Sequence, residues 1–206
     1  MRMRKKKHGA ERINNCAELL IQNPAQPFDN DRPVRLEIGC GKGRFILETA
    51  KRNPEINFIA MEKISDVALL AMEGVQREGL TNVRFLIADA KSLSELLPAH
   101  SVEMIYLNFN DPWPKKGHTK RRLTYKDFLE LYRRVLTEDG SICLKTDNRP
   151  YFDFSLEQLA ENGFRLEEVT NDLHSSEWEE GNVHTEYEDN FSAKGFTINR
   201  CRAYVR

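Results

Sequence analysis

Five times between Val34 and Asn162 a short apolar run is followed by a segment whose apolar residues recur at helical spacing. No other feature constrains the chain as much. Strands alternating with helices bury their apolar faces as a sheet with helices on both sides. The strand runs are 34–38, 57–61, 83–88, 102–109 and 141–146, and the helical segments are 44–52, 65–78, 92–97, 124–136 and 151–162. In the second helical segment Val67, Leu70, Ala71 and Val75 share one face. The run 102–109 is apolar on both faces, as in the middle of a parallel sheet. Two last strands, 164–169 and 197–205, flank an acidic loop of about 170–195. The expected fold is α/β: a seven-stranded, doubly wound, mostly parallel Rossmann-like sheet with an antiparallel C-terminal edge strand. Ligands in such sheets sit outside the carboxyl ends of the strands, at the topological switch point.

Residues 1–32 are polar and carry Asn23-Pro24, Pro27 and Asp29-Asn30-Asp31. They read as a basic N-terminal arm with a short helix near 12–22, and residues 33–206 as one domain. The 206 residues are 40% hydrophobic and 31% charged, the balance of an ordinary globular protein. No apolar run nears the ~18 residues of a membrane span. No apolar stretch follows the basic start, so no secretory leader is expected and the cytoplasm is the default compartment. Cys16, Cys40, Cys143 and Cys201 are scattered with no CxxC pair, which predicts reduced thiols and no zinc ribbon. His8, His100, His118, His174 and His184 show no paired ligand spacing, so no metal is expected.

A net charge of −1 conceals patches of opposite sign. Arg2, Arg4, Lys5, Lys6, Lys7 and Arg12 crowd the start, and Lys115, Lys116, Lys120, Arg121 and Arg122 crowd the middle. Glu177, Glu179, Glu180, Glu186, Glu188 and Asp189 crowd a late stretch. Such patches steer a polyanion whatever the total charge.

The first strand runs into Glu37-Ile38-Gly39-Cys40-Gly41-Lys42-Gly43. Alternate glycines let the backbone turn tightly against a ligand. The dinucleotide pattern requires glycine at 44, where Arg44 stands, and the phosphate loop GxxxxGK[ST] is absent. Glu37 sets a carboxylate where a phosphate binder avoids one, which favours a cationic ligand. S-adenosylmethionine carries a sulfonium and an ammonium and no phosphate. The second strand ends at Glu62, placed to accept ribose hydroxyls. The third ends at Asp89, placed to accept an adenine amine. Three successive strands thus bring an acid to one rim. Together with Gly39, Gly41 and Gly43 the set resembles the class I methyltransferases, in which these positions bind S-adenosylmethionine.

The fourth strand runs into Asn110-Asp111-Pro112-Trp113-Pro114-Lys115-Lys116. Two prolines stiffen this loop around a flat aromatic surface. Asp111 sits where the methyl group is transferred and is assigned as the catalytic residue, also touching the cofactor. The loop and the run Gly117-His118-Thr119-Lys120-Arg121-Arg122, with Lys145-Thr146-Asp147-Asn148 and Thr185-Glu186-Tyr187-Glu188, resemble the bacterial tRNA (guanine-N7)-methyltransferases. The likeness spans about residue 12 to the end. It implies methyl transfer from S-adenosylmethionine to N7 of a guanosine in the tRNA variable loop. It marks Lys115, Asp147, Thr185, Glu186, Tyr187 and Glu188 as substrate-binding, and Gly117, His118, Thr119, Lys120, Arg121 and Arg122 as RNA contacts. The implied partner is tRNA, with the protein a monomer or homodimer.

Guanine N7 is an in-plane lone pair without a proton, so its methylation needs orientation and nearby negative charge rather than a base. Two other classes share the cofactor features: a methyltransferase acting on an amine of a nucleobase or protein, and a binding module without catalysis. The basic loop and Trp113 favour RNA over the first, and Asp111 beside all three cofactor acids weighs against the second.

Overall fold

The computed structural model describes residues 8–205. The basic cluster Arg2–Lys7 therefore lies outside the described residues. Seven strands form one sheet: β1 Val34–Ile38, β2 Asn57–Met61, β3 Val83–Leu86, β4 Val102–Asn108, β5 Leu136–Thr146, β6 Arg165–Thr170 and β7 Asn199–Tyr204. Their order is β3-β2-β1-β4-β5-β7-β6. The first five run parallel, while β7 lies antiparallel to both β5 and β6. The antiparallel edge is present, with the last strand in sequence set one place in from the rim.

The helices are α1 Gly9–Asn14, α2 Arg44–Arg52, α3 Ser65–Arg77, α4 Leu93–Leu96, α5 Lys126–Val135, α6 Arg149–Glu161 and α7 Glu186–Ser192. Two apolar cores flank the sheet. On one face Leu36, Ile38, Ile59, Ile105 and Leu107 pack with Leu129, Tyr132 and Phe152 of α5 and α6. On the other, Phe58, Ala60 and Phe85 pack with Ile46 of α2 and Met72 and Val75 of α3. Period-two alternation along each strand divides the side chains between these layers.

Three expectations differ from the structure. The helix expected over 12–22 is α1 followed by a 3-10 turn at Ala17–Leu19. Continuity is lost at Cys16, whose φ of −114° and ψ of 19° leave the helix, and Ile21 N–H then donates to Phe85 O, joining this segment to β3. Arg12 also pairs with Glu73 of α3, and Cys16, Leu19 and Phe28 are buried, so the segment before β1 packs on the domain. The fifth strand begins earlier than 141, at Leu136, because Val102 pairs Leu136 before the ladder resumes at Met104–Ser141. The expected Asp139-Gly140 turn survives as the bulge between them. The acidic loop is not all loop. It holds α7, whose start is a capping box: Glu188 N–H donates to Thr185 Oγ1 at 2.9 Å, and Thr185 N–H donates back to Glu188 Oε2 at 3.3 Å. All four cysteines are buried and free.

Candidate active site

The strand order reverses between β1 and β4, so the crevice lies above Ile38 and Asn108. The glycine turn fills its floor. Gly39, Gly41 and Gly43 have φ of 82°, 58° and 87°. A side chain at Gly43 would put Cβ 2.5 Å from Ala71 Cβ, so glycine here brings α2 and α3 together. Gly39 meets the loop after β4: a Cβ there would lie 3.1 Å from Asn110 Nδ2.

Glu37 is buried at 2% exposure in the middle of the sheet. Asn108 Nδ2 donates to its Oε1 at 2.9 Å, while Oε2 accepts no hydrogen bond among the described residues. Burial pushes its carboxyl up to about 7, opposed by the Asn108 hydrogen bond and the charge of Lys145. A buried carboxylate with one oxygen free is the arrangement that accepts a cation or ammonium. Glu37 lines a cavity of about 210 Å³ with Gly39, Gly41, Gly43, Thr185 and Tyr187.

A second cavity of about 550 Å³ shares Gly39 and is lined by Glu62, Asp89, Asn110, Asp111 and Trp113. Glu62 and Asp89 thus share this hollow with Asp111, while Glu37 faces the smaller cavity, and Gly39 lines both. Each acid is held in place. Glu62 accepts from Gly41 N–H at 3.2 Å and Ile64 N–H at 2.9 Å. Asp89 accepts from Lys91 N–H at 3.0 Å and pairs with Lys63, whose hydrogen bond holds its carboxyl below the usual range. Asn110 ties the loop after β4 to β1 by donating to Ile38 O at 3.1 Å.

The loop after β4 is strained at Phe109 and Trp113, with φ of 52° and 43°. Such backbone costs about 1–3 kcal/mol per residue and persists only when surroundings enforce it. Phe109 N–H donates to Lys145 O at 2.8 Å, and Arg122 holds the Trp113 end. Its Nε donates to Pro112 O at 2.9 Å, its Nη2 to Trp113 O at 3.3 Å, and it lies over the Phe154 ring. Arg122 was expected as an RNA contact, yet its donors serve the loop backbone. Arg121 stacks on Trp113 with its guanidinium 5.0 Å from the ring centroid, and His118 meets the same ring edge-on. Lys115, Lys116, Gly117 and Lys120 are exposed beside them. Thr119 donates to Lys116 O at 2.8 Å, closing a 3-10 turn over Lys116–Arg121.

Opposite this loop, α7 presents Tyr187, whose ring lies 5.1 Å from Phe109. Burial pushes the Tyr187 phenol up, and the charges of Asp147 and Asp111, both within electrostatic reach of it, add to that. Burial also raises the Asp147 carboxyl. Glu186 pairs with Lys42 at 2.9 Å and Asp189 with Arg44, strapping α7 to the glycine turn. Glu188 was expected among the substrate contacts. It is fully buried instead, with Oε2 accepting from Lys145 Nζ at 2.7 Å and Oε1 from Asn182 at 2.9 Å, beside His174 Nε2. Burial pushes its carboxyl up, and Lys145, Asn182 and His174 more than reverse that. Its place is under α7, holding Thr185 and Tyr187 at the rim.

Reading the sequence for function missed Asn108, Asn110 and Lys145. Asn108 and Lys145 lie near the ends of β4 and β5 and Asn110 in the loop after β4, and only the sheet register shows Lys145 opposite Asn108. It also missed that His174, Glu179 and His184 lie together, their ligand-type atoms within 4.8 Å of one another. The two imidazoles are stacked, and both nitrogens of His184 already meet carboxylates, Glu179 and Asp189.

The geometry has counterparts in known proteins. Residues 31–201 match a family model described as a putative methyltransferase. A tRNA (guanine-N(7)-)-methyltransferase of Geobacillus thermodenitrificans (strain NG80-2) is 48% identical over 210 residues, covering 98% of this chain and 97% of that protein. One from Geobacillus sp. (strain WCH70) is 47% identical over 208 residues, covering 98% and 94%. A solved 16S rRNA methyltransferase superposes with a TM-score of 0.64 at 15% identity, covering 99% of this chain and 96% of that one, a likeness of fold. With near-half identity over nearly its whole length, this chain belongs to the tRNA (guanine-N(7)-)-methyltransferase family.

Proposed function

We propose that the protein methylates N7 of a guanosine in tRNA, using S-adenosylmethionine. The observation that carries this reading is one hollow lined by Glu62, Asp89, Asn110, Asp111 and Trp113, entered past the glycine turn. The residues fit the cofactor. The partnerless Oε2 of Glu37 suits its ammonium, Glu62 its ribose and Asp89 its base. When bound, the cofactor supplies an electrophilic methyl on a sulfonium.

The chain's part is placement and charge. Asp111 is exposed at the mouth of the hollow, on a loop fixed by Asn110 and Arg122. It orients the guanine and offsets the positive charge that grows on its imidazole ring. Asp147 and Asp111 both lie within electrostatic reach of Tyr187, and a carboxylate there accepts the N1–H and N2 amine of guanine. Lys115, Lys120 and Arg121 meet phosphates beside the site. Such a reaction belongs to the cytoplasm, and among the described residues no helix is long and apolar enough to cross a membrane.

The test is incubation of the protein with unmodified tRNA and methyl-labelled cofactor, followed by mapping of the labelled nucleotide. Label at guanine N7 is expected, and its loss in Asp111→Ala. Label on an amine, or none, overturns the proposal.

A further inference from the structure

A sheet flanked by helices buries apolar side chains on both faces. Here one face departs from that rule. Beyond α2, register sets Tyr106 beside Cys143 and Cys143 beside Arg202, with Lys145 beside Arg200 one step along. Arg35 of β1 joins them on the same face, donating from Nη1 to Tyr106 Oη at 3.4 Å. The segment around Trp178–Val183 roofs this polar face and leaves a cavity of about 410 Å³. That volume lies in the range of small-ligand sites.

Four guanidinium groups line it: Arg35, Arg52, Arg200 and Arg202. Their counter-charges are fewer. Arg200 and Arg202 share the single carboxylate of Glu168. Arg35 has Glu103 at a loose 3.9 Å, and Glu180 stands at the exposed rim. Lys145 is already neutralised by Glu188. Several donors are left over. Arg35 Nε, Arg200 Nη1 and the hydroxyl of Thr49 are buried without a hydrogen-bond partner among the described residues. Thr49 is only 4% exposed and lines the same cavity. Buried donors without partners are rare in folded proteins. Converging donors with surplus positive charge match a tetrahedral oxyanion, which guanidinium groups bind by paired hydrogen bonds.

We infer that this cavity is a phosphate-binding site, separate from the methyl-transfer site and standing whether or not methyl transfer is the activity. Its far wall is shared with the rest of the machinery. Asn182, Val183 and Lys145 line it, and Lys145 Nζ donates to Asn182 Oδ1, Val183 O and Glu188. An anion settling against this wall stiffens the support of α7. The phosphate comes either from solution or from the RNA backbone.

The experiment titrates inorganic phosphate into the full chain, with chloride at matched ionic strength as reference, following heat and thermal midpoint. Phosphate should bind and raise the midpoint where chloride does not. Thr49→Val keeps the volume and removes the hydroxyl, and Arg52→Ala removes a charge at the rim. Each should weaken phosphate roughly tenfold, the loss of about one charge-assisted hydrogen bond. Lys120→Ala with Arg121→Ala should leave phosphate binding unchanged. The inference is overturned if phosphate does no more than chloride, or if its effect follows Lys120 and Arg121 instead of Thr49 and Arg52. A tRNA titration at saturating phosphate names the source. Release of phosphate identifies the RNA backbone as the natural occupant, and independent binding identifies the free anion.

Discussion

Asn108 donates to one oxygen of Glu37 at 2.9 Å, across the strands where the sheet order reverses, and the second oxygen of that buried carboxylate is left open toward the glycine turn. The Glu37 carboxyl, raised to about 7, carries a proton in much of the free protein at neutral pH. An ammonium ligand needs it ionised. Affinity for the demethylated cofactor should therefore rise with pH through 7, and at pH 6 should lie roughly tenfold below its high-pH limit. For stability the sign is opposite. A raised carboxyl pKa stabilises the fold at low pH and loses that contribution as pH rises through about 7. Calorimetry from pH 6 to 8 checks this, and Glu37→Gln should flatten the pH dependence as well as weaken binding.

Arg122 and Arg121 are neighbours with different work. Arg122→Ala removes two hydrogen bonds to the backbone of the strained loop, each worth about 1–3 kcal/mol for a charged donor. It should lower turnover and thermal midpoint together. Arg121→Ala with Lys120→Ala should weaken tRNA binding, reduce its salt slope by about 0.7–0.9 per lost contact, and leave the midpoint in place. Equal behaviour of the two variants would refute the division.

Lys145 and Glu188 are a buried pair at 2.7 Å. Removing one partner leaves a bare charge, so Lys145→Met or Glu188→Leu alone should cost about 3–5 kcal/mol. The double variant Lys145→Met with Glu188→Leu should recover much of it. Urea unfolding of the parent and the three variants measures the coupling.

Gly43→Ala and Gly41→Ala both place a side chain at positive φ, at about 1–2 kcal/mol. Only at Gly43 does the new carbon strike Ala71, which adds about 1–3 kcal/mol of overpacking. Gly43→Ala should unfold at clearly lower denaturant, with Gly41→Ala closer to the parent.

Strands β1 to β4 and helices α2 and α3 were legible because each is a local pattern: period two or 3.6, bounded by glycine or asparagine. The acids near the strand ends were legible for the same reason, since the hydrophobic run shows where each strand gives way to its loop. The part played by Glu188 was not. Its partners Lys145, Asn182 and His174 come from three separate stretches, and only tertiary packing turns a surface-type acid into a buried support. Helix α7 was hidden because its seven residues hold four acids or amides and two aromatics, with no apolar stripe to mark it. Thr185 and Glu188 carried the capping-box signal at the right spacing. Arg122 was read as one of a run of like charges, and sequence cannot say which member of a run turns inward.

The position of β7 sets a schedule for synthesis. β6 has no neighbour in the sheet other than β7, and β5 pairs with β7 along Ser141–Thr146. A nascent chain that has emerged through Thr170 can assemble its parallel layer but leaves that border of β5 bare. Such an unpaired row of N–H and C=O groups invites pairing with another chain. Asn199–Tyr204 closes it in one step, covering β5 and recruiting β6 together. The folding stage before Asn199–Tyr204 docks is thus the one that leaves this border of β5 open to another chain.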